Sequence, residues 1–246
     1  MIRPLAAALF LLSGAAAVPA AAQDVPTGPV DVSAAVEVVS DYRFRGISLS
    51  GGDVAVQPAI MLTHNAGLYI GAWGSNIEET PATGEVEVDL YGGFATEVAP
   101  GTSVDLGLTY YWYPDGARAA GASDYVEAAA RLSHLLGPAE AGVRIAYAPR
   151  QAALGQEDSL YLAADLSAGI PATPLTVSAS LGYTDGGLAG FAPGGHYWDW
   201  SLGASASFGR LTAGIRYVDT DIPATGVKAV DKYFDAGVVL SLGVAF

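Results

Sequence analysis

From Val30 onward the chain alternates apolar residues with small or polar ones, the rhythm of strands whose two faces meet different surroundings. Leu175, Val177, Ala179, Leu181 and Tyr183 hold one parity, against Thr176, Ser178, Ser180, Gly182 and Thr184. Segment 197–208 repeats it, with Trp198, Trp200, Leu202, Ala204, Ala206 and Phe208 on one face. The last segment sets Phe234, Val238, Leu240, Leu242, Val244 and Phe246 against Tyr233, Asp235, Gly237, Ser241 and Gly243. Turn residues divide the chain into twelve such segments: 30–46, 54–64, 67–77, 85–98, 102–113, 124–136, 140–149, 158–170, 175–184, 197–208, 211–219 and 232–246. Most exceed the roughly 9–11 residues that a tilted strand needs to cross a bilayer. The least regular is 67–77, where Leu68, Tyr69, Ile70 and Trp73 put apolar groups on both faces. Pro58 removes a ladder hydrogen bond from the second strand and predicts a bulge there.

The connections carry an independent signal. Those after the even-numbered strands are short, such as Asn65-Ala66 and Gly209-Arg210, whereas those after the odd-numbered strands are longer and richer in charge. Short turns at one end and long loops at the other are expected of outer-membrane barrels. Aromatic residues follow the same division. Tyr42, Phe44, Tyr110, Trp112, Tyr147, Tyr183, Trp198, Trp200, Tyr217 and Phe234 occupy the apolar parity near the long loops, and Phe94, Phe208 and Phe246 lie near the short turns. Amphipathic rings gather at membrane–water boundaries, so these positions predict a girdle. In lipid every backbone polar group must be bonded within the protein, so a sheet crosses only as a closed barrel. Both termini at the periplasmic end require an even strand count, which twelve satisfies. The expected fold is therefore an all-β, antiparallel up-and-down transmembrane barrel.

Composition narrows the alternatives. The 246 residues are 51% apolar, yet past the start no stretch reads as a transmembrane helix. The uncharged run 166–184 contains Pro171 and Pro174 and alternates serine with apolar residues, so it reads as a hairpin. The first 22 residues combine Arg3, an apolar run over 5–17 and the small residues Ala20, Ala21 and Ala22, which predicts a cleaved secretory signal with the mature chain beginning near Gln23. Residues 23–246 are then one barrel domain. A net charge of −14 argues against nucleic-acid binding, because little is available to neutralise phosphates. With no cysteine there is no disulfide framework and no thiolate-bound metal.

Ser40-Asp41-Tyr42-Arg43-Phe44-Arg45-Gly46-Ile47-Ser48 is read as the end of the first strand. It resembles the hallmark of the TorF family of porin-like outer-membrane proteins, as do Gly71-Ala72-Trp73-Gly74-Ser75-Asn76-Ile77 and Glu87-Val88-Asp89-Leu90-Tyr91-Gly92-Gly93. The resemblance covers the first half of the mature chain. It implies an outer-membrane location in a Gram-negative envelope and a channel role, and it supplies no catalytic residue. Phe246 is similar to the terminal signature that bacterial barrels present to their assembly machinery.

On the opposite parity, the candidates for a lumen or constriction are Asp41, Arg43, Arg45, Glu87, Asp89, Glu127, Arg131, Arg144, Asp199 and Arg216. Eight strands leave a lumen filled by side chains and sixteen an open channel; twelve should leave a narrow passage in which a few charges select what passes. The expectation is an acid-rich lumen that favours small cations or polar solutes, with Arg43 and Arg45 opposite Asp89 or Glu87 at a constriction. The plainer alternative is a plugged barrel whose charges pair and fill it. Catalysis is not expected: His64, His134 and His196 are scattered and lack a partnered serine, and they do not form a metal site. Glu85, Glu87 and Asp89 invite a protease reading but share one lumen stripe and more simply pair with arginine. Glu78, Glu79, Asp219 and Asp221 could bind divalent cations that bridge lipopolysaccharide, although a solvated loop is the better explanation of them. No cofactor is expected. The expected partners are outer-membrane lipid, lipopolysaccharide, the assembly machinery and small solutes; the oligomeric state is not legible. A secreted soluble β-sandwich is the rival architecture, and a barrel-mounted enzyme or adhesin the rival function.

Overall fold

The computed structural model describes residues 28–246; the secretory signal expected over 1–22 lies outside them. Twelve strands form one closed antiparallel barrel: β1 Val30–Val39, β2 Ala55–His64, β3 Leu68–Thr80, β4 Gly84–Ala99, β5 Thr102–Trp112, β6 Tyr125–Leu136, β7 Ala139–Ala148, β8 Ser159–Gly169, β9 Leu175–Gly186, β10 His196–Phe208, β11 Leu211–Thr220 and β12 Gly237–Ala245. Each strand pairs with its sequence neighbour. The ring closes where β1 meets β12, in a register running from Ala35 opposite Ala245 to Val39 opposite Ser241. Closure leaves no edge strand and gives the wall's backbone groups a partner on each side.

The alternation in the sequence becomes an inside-out distribution of polarity. Val32, Ile70, Leu202 and Leu240 stand on the outer surface, more than half exposed, whereas Glu87, Asp89 and Glu127 point inward and are buried. A soluble sandwich would bury the first set. The segment 67–77 is explained by the same geometry: Leu68 and Ile70 face out while Tyr69 and Trp73 face in and are buried. Both faces are apolar because the interior here is aromatic.

Pro58 does not bulge β2 against β1, where the register runs unbroken from Val30–His64 to Val39–Ala55. Its effect falls on the other side, since pairing of β2 with β3 stops at Ala59 opposite Trp73. The Asn76 side chain takes over there, donating to the Val54 carbonyl (3.0 Å) and accepting from the Val56 N–H (2.8 Å). Register shifts lie instead between Asn76 and Thr80, where β3 pairs with β4, and between Glu97 and Ala99, where β4 pairs with β5.

Two predicted strands are shorter than expected by several residues. β1 ends at Val39 rather than at residue 46, and the last strand begins at Gly237 rather than at 232. Segment 40–50 turns into the barrel, where Arg43–Phe44 and Ile47–Ser48 form a two-residue hairpin of their own. Residues 228–231 make a single helical turn, followed by a loop leading into β12.

Candidate functional site

Segment 40–50 fills the barrel at the end carrying the long loops. Its tip turns on Arg45 and Gly46, both at positive φ (49° and 85°). Gly46 suits that conformation, and its missing Cβ lets the chain approach Thr220 and Asp199. The Asp41 carboxylate accepts from Arg43 Nε and from the Ser48 and Ser50 hydroxyls. Arg43 Nη1 donates to the carbonyls of Gly46 (3.1 Å) and Asp235 (3.0 Å), tying the segment to the loop before β12. The Ser48 N–H donates to the Tyr233 carbonyl (2.7 Å), and the Glu78 N–H to the Leu49 carbonyl (2.8 Å). A Lys232–Glu78 ion pair at 2.7 Å crosses from the same loop to β3.

At the tip, Arg45 Nη2 meets both oxygens of Glu127 at 2.7 Å. Its guanidinium lies 4.2 Å from the Tyr161 ring centre and 4.6 Å from that of Phe44, within cation–π range. Tyr111 and Tyr125 stack beside it, 4.4 Å apart. Arg45 therefore pairs with Glu127, not with Glu87 or Asp89, and Arg43 pairs with Asp41.

Three positions assigned to the girdle belong to this interior. Tyr42 is buried against Trp73, with ring centres 5.2 Å apart. Phe44 packs on Tyr111, and Phe234 is buried. Parity carried these rings onto the outer face on the assumption that strand continued; because the chain leaves the wall, they turn inward. Tyr110, Trp112, Tyr147, Trp198 and Tyr217 do stand exposed on the outside, and Tyr183 and Trp200 are half-buried beside them. Tyr110 donates to Asp124 (2.9 Å), Tyr147 to Asp158 (3.0 Å) and Tyr217 to Asp219 (2.7 Å). Phe246 is exposed at the short-turn end.

Packing divides the lumen into two halves. Toward the long loops, inward Gln57, Ser75, Glu87, Asp89, Thr184 and Asp199 are buried, Asp89 and Thr184 completely. The charged groups buried in this half include five carboxylates (Asp41, Glu87, Asp89, Glu127, Asp199) and the guanidinium groups of Arg43 and Arg45. Neither oxygen of Asp89 has a hydrogen-bond partner among the described residues. Toward the short turns, inward Asp31, Ser33, Asp165, Ser178 and Ser205 remain partly accessible. Here Arg131 pairs with Glu140 (3.0 Å) and Asp165 (2.7 Å), and Arg144 stands opposite Arg131 in the β6–β7 register. Arg216 and Glu37 border a small cleft against Ser178, Gly203 and Ser241. Inward side chains are thus packed most densely beneath the long loops, and more of them stay partly accessible toward the short turns.

Sequence reasoning missed the aromatic lining: Tyr69, Trp73, Tyr91, Tyr111, Tyr125, Tyr161 and Tyr197 all face in and are buried. The signal was present, because Tyr91 shares its parity with Glu87 and Asp89. The histidines sit at the barrel rims in local contacts: His64 accepts from the Ala66 N–H, His134 bonds Thr102, and His196 bonds the Gly194 carbonyl. Among the described residues no three histidine or carboxylate groups are placed to hold a metal ion.

A family profile described as a bacterial protein of unknown function, Gcw_chp, matches residues 23–246. The chain belongs to that family. No protein of curated function matches it by sequence. Among solved structures it is similar to the NanC porin, at 11% identity and a TM-score of 0.57, covering 88% of this chain and 99% of that one. It is also similar to the KdgM porin, solved in complex with disordered oligogalacturonate, at 8% identity and a TM-score of 0.54, covering 87% and 97%. At these identities the likeness is one of fold: this family member has a porin-type barrel.

Proposed function

We propose that the protein is a porin-like channel of the Gram-negative outer membrane. It admits small ions and polar solutes through an acid-rich lumen and rests with its long-loop side closed by segment 40–50. The observation that carries this reading is polarity turned inside out on a closed wall: an apolar exterior around charged, hydrogen-bonded residues serves lipid outside and water inside. The porin-type fold supports it, as does the resemblance of the 40–48 motif to the TorF family. The short turns and both termini are assigned to the periplasm and the long loops to the cell exterior, where lipopolysaccharide surrounds them; the β12 end carries the assembly signal. No enzymatic role is proposed.

The partly accessible groups toward the short turns mark the entrance for solutes from the periplasmic side, and the carboxylates in the densely packed half set cation preference. The dense packing of that half favours, as the second reading, a permanently plugged barrel. Reconstitution in planar bilayers under a salt gradient separates the two. The channel reading expects brief openings with cation-selective reversal potentials, made frequent by replacing residues 41–50 with a short Gly/Ser linker. Silence from both the native and the linker protein refutes it, and anion preference refutes the acidic filter.

A further inference from the structure

Building on the channel reading, we infer that the box filled by Arg45 is the binding site for a guanidinium-bearing solute, with Arg45 its built-in competitor. The wall supplies most of the box. Glu127 lies on β6, Tyr125 beside it, Tyr111 on β5 and Tyr161 on β8; only Arg45 and Phe44 come from the inward segment. When that segment withdraws, a carboxylate walled by three tyrosine rings is left facing the lumen.

This chemistry is selective. A carboxylate that accepts a guanidinium N–H on both oxygens gives a directed, charge-assisted contact. The Tyr161 ring face, 4.2 Å from the Arg45 guanidinium, favours a flat, weakly hydrated cation over a compact, strongly hydrated one. The Tyr111 hydroxyl, 3.4 Å from Glu127 Oε1, steadies the carboxylate. Charge balance argues the same way. Withdrawing Arg45 takes from Glu127 the guanidinium that both of its oxygens meet at 2.7 Å, and an incoming cation restores that pairing.

The competitor is held imperfectly. Arg45 Nη1 is buried without a hydrogen-bond partner, and the residue sits at φ +49°, a region unfavourable for a side chain other than glycine's. A free guanidinium carries neither handicap. The segment therefore closes the pore while remaining displaceable by the solute that the pore would carry.

The test uses the full mature chain refolded in detergent, with methylguanidinium as probe and equal sodium as control. Arg45→Gly empties the box and suits the left-handed backbone; Arg45→Ala is a second emptied form. Isothermal titration and thermal midpoint should show one-to-one binding to the emptied variants, at least about tenfold tighter than to the native protein. Binding should be lost in Arg45→Gly/Glu127→Gln, and methylammonium should bind more weakly. In bilayers, methylguanidinium should block Arg45→Gly currents at concentrations that leave the double variant unaffected. Emptied variants that conduct yet ignore methylguanidinium overturn the site and spare the channel. Emptied variants that bind it tightly while no form conducts support the site and overturn the channel.

Discussion

Arg43 provides the sharpest test of how the inward segment is held. Its guanidinium neutralises Asp41 and reaches across to the Asp235 carbonyl at 3.0 Å, joining segment 40–50 to the loop before β12. Both partners are nearly closed to solvent, with side-chain exposures of 6% and 10%. Removing one member of a buried pair typically costs about 3–5 kcal/mol, because the other is left charged and desolvated. Here Asp41 would still accept from the Ser48 and Ser50 hydroxyls, so the lower figure applies. The wall does not depend on this pair, so the loss falls on the equilibrium between inserted and withdrawn segment. About 3 kcal/mol shifts that equilibrium by roughly 100-fold. Arg43→Ala should therefore raise the open fraction in single-channel recordings by about two orders of magnitude, with thermal unfolding of the barrel almost unchanged. Arg43→Lys, which keeps the charge but loses the fork that bonds carbonyl and carboxylate together, should fall between. An Arg43→Ala protein as quiet as the native one, with Tyr42 still packed on Trp73 by fluorescence, would refute this account of closure.

Four further outcomes are expected. Gly93→Ala should destabilise the barrel by about 1–3 kcal/mol in urea unfolding, since a Cβ there would meet the Leu106 carbonyl and the Tyr69 ring. Asp231→Asn should speed tryptic cleavage at Lys228, because the Asp231 carboxylate accepts from the Thr225 hydroxyl (2.6 Å) and the Thr225 and Gly226 N–H groups (2.8 and 3.0 Å). These bonds, the Thr225 hydroxyl first, hold its carboxyl below the usual range. A depressed folded value stabilises above the unfolded pKa and is lost as pH falls through the folded one, so hydrogen exchange in loop 221–236 should quicken only below about pH 4. Replacing Trp112 and Trp198 with serine should weaken insertion into liposomes, measured by flotation, without altering the fold in detergent.

The wall was legible because lipid outside and polar groups inside impose one rule at every second residue, and a rule repeated over twelve strands survives local exceptions. Leu68 and Ile70 beside Tyr69 and Trp73 look like a broken pattern only if the inner face must be polar; aromatic rings lining the lumen restore it. The interior segment was illegible for the same reason. Tyr42 and Phe44 fit the apolar parity of β1, and nothing in alternation marks Val39 as the place where the chain leaves the sheet. Gly46 was the available cue, a residue able to turn sharply at the end of an apparent strand. The pairing of Arg45 with Glu127 spans 82 positions. It could not be read from spacing, because it depends on how far the segment reaches across the lumen.

The attachment of that segment makes closure independent of the wall. Val39 and Ala55, where the chain leaves β1 and rejoins at β2, are paired directly across the sheet. The segment between them is thus a loop with its ends together, and it can move as a unit without shifting a strand register. Beyond Ser40, its hydrogen bonds to the rest of the barrel go to three separate places: Glu127 on β6, Glu78 on β3, and the Tyr233–Asp235 stretch before β12. None of these contacts is a ladder bond of the barrel. A rigid wall and a tethered interior can therefore differ widely in stability within one chain, which is the physical condition for a pore that closes without unfolding.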